Sequence, residues 1–104
     1  NDPQFFEAAR KLSERAIRHS GDARARMDFM AEIVLSRSLN DEEVSKLTRS
    51  LEAFAAHYRA HPEDARAILT NGAAPADTTL DPVETAIWAM VANQFLNLDE
   101  TLTK

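Results

Sequence analysis

His57, Tyr58 and His61 form the densest group of chemically capable side chains in the sequence. His57 and His61 stand one helical turn apart, a spacing at which two imidazoles can share a metal ion. The zinc-peptidase pattern also needs an acidic residue at a set position between them, and none stands there. His61 comes just before Pro62, at a helix end, where the helix dipole alone favours a basic side chain. The pair therefore reads as part of a wet helix face, and no metal ligand set is expected.

Other chemistry fares no better. Ser13, Ser20, Ser36, Ser38, Ser45 and Ser50 accompany the histidines, but a nucleophilic serine of the hydrolase type sits in a strained strand-to-helix turn. No strand is evident. Asp99 and Glu100 are adjacent acids, yet an exposed terminal pair keeps ordinary proton affinity, and acid–base catalysis needs a shifted one. The chain has no cysteine, which removes thiolate nucleophiles, disulfides and Cys-ligated metal or haem. Gly72 lacks the glycine repeat and the Lys-Ser/Thr pair of a phosphate-cradling loop. No catalytic residue and no cofactor are expected, so a stand-alone enzyme is disfavoured.

What remains is a constellation suited to contact. The stretch from Leu80 to Glu100 holds the only tryptophan, Trp88, and the densest apolar run. Asn93 and Asn97 lie one turn apart within it, in apolar company. A buried amide left unpaired costs roughly 1–3 kcal/mol. These two side chains are therefore expected to hold the loop 71–80 or to face a neighbouring domain, the loop being the preferred partner. Trp88, Asn93, Asn97, Asp99 and Glu100 are the candidate interface residues. Met27 and Met30 could line a ligand groove, as could Met90, but core filling is the ordinary use of methionine.

The elements that position these residues are all helical. Asp2-Pro3 opens the first helix, and Phe5, Ala9, Leu12, Ala16 and Ile17 follow at helical spacing. Arg10, Lys11, Glu14, Arg15 and Arg18 fall on the expected wet face, with Glu7 and Glu14 as i,i+4 partners. Gly21 is expected to stop the helix with a positive φ. Asp22 caps a second helix over about 23–37, whose apolar residues cover more than one stripe and predict a central place. Asn40 and Glu43 form a capping box with Leu39 and Val44 as its staple. The third helix runs to about Ala60 along Val44, Leu47, Leu51, Phe54 and Tyr58, a seam that predicts antiparallel packing. Pro62 opens a short fourth helix, closed at Asn71-Gly72. Asp81-Pro82 opens the last, with Glu84 in the capping-box position.

The expected fold is all-α: a compact five-helix bundle of four long helices and one short one, in a single domain over residues 1–104. Its 44% hydrophobic content fits one modest core. No apolar run is long enough to span a membrane. The formal charge of −5 disfavours non-specific nucleic-acid binding. Residues 1–38 carry seven Lys/Arg against six Asp/Glu, and 39–104 carry five against eleven. The acidic excess could meet a basic neighbouring surface, but solubility is the preferred explanation.

Several segments resemble a known family. Asn1-Asp2-Pro3-Gln4-Phe5 with Glu7-Ala8-Ala9-Arg10 and Leu12, then Leu39-Asn40-Asp41-Glu42-Glu43, are similar to stretches of a domain of unknown function. So are Leu80-Asp81-Pro82, Glu84, Trp88, Val91-Ala92-Asn93 and the closing Leu96-Asn97-Leu98-Asp99-Glu100-Thr101-Leu102-Thr103. That domain ends large planctomycete and verrucomicrobial proteins with an N-terminal cytochrome-c-like region. The likeness covers nearly the whole chain and the last third of the family's domain. Ser36-Arg37-Ser38 departs from it, since the family more often has Gly-Arg there, and Asn71-Gly72-Ala73-Ala74-Pro75 departs where an acidic or Ser residue precedes the Pro. The resemblance implies an exported, periplasmic location and a helical C-terminal module that packs on the upstream domains of its own chain or on a protein partner. It implies no reaction. The competing expectation is part of an enzyme, perhaps acting on polysaccharides, whose active site the upstream region completes.

Overall fold

The computed structural model describes the backbone of residues 3–70 and 75–103, and the side chains of 6–70 and 75–98. The described residues form five α-helices and no strand: α1 Pro3–His19, α2 Ala23–Leu35, α3 Asp41–Ala60, α4 Pro62–Leu69 and α5 Pro82–Thr103. The all-α, five-helix bundle is therefore the observed architecture. Among the described residues no helix is long and apolar enough to cross a membrane. Asp99 and Glu100 lie on the α5 backbone, but their side chains fall outside the described residues, as do Asn71 and Gly72.

The hub is α5, which packs on each of the other four helices. From Thr85 to Ala89 every residue is buried, and Val91, Ala92 and Phe95 are fully enclosed. A helix buried on most of its circumference cannot show one apolar stripe, and the sequence of α5 shows none. Its closest companion is α1, which presents the small side chains Ala9 and Ala16, both at 0% exposure. Small residues let the two backbones approach.

The hydrogen bonds fix direction. Ser13 reaches the carbonyl of Thr85, while further along α1 Glu14 and Arg18 reach Asp77, so α1 and α5 run antiparallel. Gln94 donates to Ser50 and Arg59 faces Glu84, so α3 is antiparallel to α5 as the seam predicts. Leu47 and Tyr58 of that seam are buried, as is Ala55 beside it, with Val44, Leu51 and Phe54 packed against the core.

Local chemistry explains the helix ends. The α3 capping box is complete: the Glu43 amide donates to Asn40 Oδ1 at 2.8 Å, and the Asn40 amide to Glu43 Oε1 at 3.0 Å. Leu39 is buried and Val44 packs on the core, which is the staple arrangement. Asp22 caps α2 by accepting from Ala25 at 2.9 Å.

Three expectations are corrected. Gly21 does not take a positive φ. The turn is set instead by Ser20 Oγ, which accepts the Asp22 amide at 3.0 Å, and by the Asp22 cap. The left-handed residue is Ser36, with φ 56° and ψ 34°, and it ends α2 at Leu35 rather than near Arg37. Nor is α2 central: it packs on α1 and α5 and leaves Ile33 40% exposed. Its extra apolar surface goes sideways, where Phe29 stacks on His19 at 4.4 Å and lies under Arg15.

Candidate functional site

Two buried polar clusters, neither expected from the sequence, organise the molecule. Each lies where α5 meets another part of the chain.

The first is built on α1. Arg10 is 1% exposed and Glu14 7% exposed, so both belong inside rather than on the expected wet face. Arg10 Nη1 donates to Glu14 Oε2 at 2.9 Å. The same oxygen accepts the backbone amide of Asp77 at 2.8 Å. Ser13, fully buried, donates to the Arg10 carbonyl at 2.7 Å and lies 3.4 Å from that of Thr85. Thr85 in turn donates to the Asp81 carbonyl at 2.9 Å. Asp77 adds an outer clasp to Arg18. Its other oxygen takes the Thr79 amide and hydroxyl. These bonds from Thr79, and then Arg18, hold the Asp77 carboxyl down at about 2.

This cluster answers what holds the described part of the long loop. Glu14 and Arg18 of α1 hold it at Asp77. Asn93 and Asn97 had been expected in that role. Asn93 is half-buried and Asn97 is exposed, so the expectation of two enclosed amides is also corrected. The cause is location. Asn97 and Leu98 lie along a groove shared with Asn40, Glu42, Glu43, Lys46, Leu47, Ser50 and Gln94, a mostly polar wall. Leu98 is 39% exposed there.

The second cluster joins α2, α3 and α5. Arg26 is 8% exposed. Its Nε donates to the Ser20 carbonyl at 2.6 Å and its Nη1 to Glu84 Oε1 at 3.0 Å. Its guanidinium lies over the Trp88 ring, 5.3 Å from the centroid. Trp88 Nε1 donates to the same Glu84 oxygen at 3.2 Å. Arg59 stands 3.8 Å from the other Glu84 oxygen. Glu84 therefore does not close a capping box. Asp81 caps α5 through the Glu84 amide at 2.9 Å, and the Glu84 side chain turns to Arg26 and Trp88. Around the cluster opens a cleft of about 490 Å³ that includes Gly21, Ala23, Leu51, Glu52, Ala55 and Ala56.

Trp88 itself is 2% exposed and works as the wall behind Arg26. The histidines are brought together without converging. Their ring centroids are 4.9 Å apart and tilted by 35°, with His57 bonded to Asp64 at 3.0 Å and His61 3.5 Å from Glu63. Among the described residues no group of three or more His, Asp or Glu is placed to hold a metal ion. Met27 and Met30 are core residues, and none of the clefts described is lined by Met27, Met30 or Met90.

The buried charges left one sequence signal. Arg10, Ser13, Glu14 and Ile17 form a second helical stripe beside Ala9, Leu12 and Ala16. With alanine on the first stripe, α1 sits deep enough for the second to be covered.

No family model, curated protein or solved structure matches the chain.

Proposed function

We propose that this domain is a helical structural and interaction module, with no catalysis of its own, forming the C-terminal part of a larger exported cytochrome-c-like protein. The family attribution rests on the sequence segments named above. The role rests on one observation: the buried polar side chains join helix to helix or helix to loop. Glu14 binds the Asp77 backbone, Ser13 reaches Thr85, and Arg26 ties Ser20 to Glu84.

The surface offered to the preceding part of the same chain is the groove between the start of α3 and the far half of α5. It carries the exposed Leu98 with Asn97 and Lys46. Comparing hydrogen exchange of the natural full-length protein with that of residues 1–104 tests this. Slower exchange around Lys46, Ser50 and Leu98 in the longer chain supports docking. Equal exchange at those positions sinks it.

A further inference from the structure

We propose that the cleft between α2, α3 and α5 is an oxyanion-binding site, in which Arg26 and Arg59 receive a carboxylate or phosphate group and Glu84 is the resident competitor.

Arg26 carries the argument. A guanidinium has five N–H donors, and within the protein Arg26 uses one on Ser20 and one on Glu84. The others belong to a side chain 10% exposed that lines the cleft. Its Nη2 makes neither bond and is not fully enclosed, so that nitrogen reaches solvent on a residue that lines the cleft. A nearly buried arginine with one nitrogen left open to solvent is a recognition group as well as a staple.

Arg59 adds a second guanidinium to the cleft. Arg59 lines the cleft with its side chain 66% exposed, and its 3.8 Å separation from Glu84 is too long for a hydrogen bond. It is free to swing onto a ligand. The N-terminus of α2 reaches the same cleft at Ala23. That helix has no acidic residue in its first turn, and its Asp22 cap is engaged by Ala25. The Asp22 carboxylate already meets the positive end of that helix dipole. The lining holds two carboxylates, Glu84 and Glu52, with the two guanidiniums, and Glu84 is the one bonded to Arg26. Glu52 stands seven residues before Arg59, about 10 Å along the helix.

The site suits a small anion. Its cleft of about 490 Å³ falls in the range of small-ligand pockets, and arginine's planar fork matches carboxylate and phosphate alike. The inference stands independently of the docking role.

Trp88 is a built-in reporter, being the only tryptophan and a hydrogen-bond donor to Glu84. The indole N–H resonance is followed while inorganic phosphate or acetate is added at constant ionic strength, with chloride as reference. A saturable shift with either anion supports the site, and the anion that saturates identifies the ligand class. Arg59→Gln should weaken that binding by at least about fivefold, the loss of one charge-assisted contact. Arg66→Gln, on α4 and outside this cleft, should leave it unchanged. Glu84→Gln, where it folds, should tighten it. A shift that tracks chloride without saturating overturns the proposal. So does an Arg59→Gln variant that binds as the parent does.

Discussion

Arg26 on α2 and Glu84 on α5 are 3.0 Å apart, and the bond is sealed against Trp88 on one side and the Ser20 carbonyl on the other. One arginine thereby fixes the α1–α2 turn to the first turns of α5. Removing either end leaves the other in a place it would not choose alone. Arg26→Ala should destabilise the domain by about 2–4 kcal/mol, toward the lower end because Glu84 keeps some solvent contact. Urea unfolding followed by Trp88 fluorescence measures it. Arg59→Ala should cost under about 0.5 kcal/mol, since its ion pair is exposed.

Glu14 is the second anchor. Its carboxylate receives Arg10 and the Asp77 amide while itself 7% exposed. Glu14→Ala removes the shared acceptor of Arg10 and the Asp77 amide, and should cost about 1–3 kcal/mol. Glu14→Gln keeps an acceptor and should cost less. In both variants the Asp77 amide should exchange faster with solvent, whereas amides in α3 should change only as much as global stability does.

Ser36 occupies a left-handed conformation at φ 56°, which costs an L-residue roughly 1–2 kcal/mol. Glycine accepts that geometry, though it loses more entropy on folding. Ser36→Gly should therefore raise stability by about 0.5–1 kcal/mol, and Ser36→Val should lower it. Thermal unfolding of the two variants against the parent decides the matter.

The Glu43 carboxyl is lowered to about 2, first by the Arg37 guanidinium and then by the Asn40 amide. Arg37 grips it in two places, at 2.9 and 2.8 Å. Because the folded value lies below the unfolded one, the contribution to stability is complete above about pH 4.5. It falls away as pH drops through that range toward 2. Replacing Glu43 by Gln should lower stability at pH 7, and the gap between variant and parent should narrow steadily between pH 5 and about 2. Urea midpoints at several pH values read this out. A gap that stays constant contradicts the assignment.

Much of this fold was legible in the sequence. The Asn40-Glu43 box, the Asp22 cap and the Pro62 and Asp81-Pro82 starts are local signals, and short-range chemistry decides them. The enclosure of Trp88 followed from the breadth of apolar residues on α5. The buried charges were not legible. Arg10 and Glu14 satisfy the i,i+4 rule for a solvated pair, and nothing local says that a loop some sixty residues later will cover them. The place of α2 was misread for a related reason. A broad apolar circumference can be spent on flanking contacts, as Phe29 shows against His19 and Arg15. Asn97 was misread because sequence company is not spatial company: it lies with the exposed Leu98 along a groove shared with Lys46 and Ser50.

The central relationship in the fold is α5 as the shared core of the four remaining helices. Native-state hydrogen exchange tests this most directly. The amides from Ile87 to Phe95 should exchange only through global unfolding, with an exchange free energy equal to that from urea denaturation. If those amides instead open at markedly lower free energy than α1 or α3, α5 is a peripheral rod and the account fails.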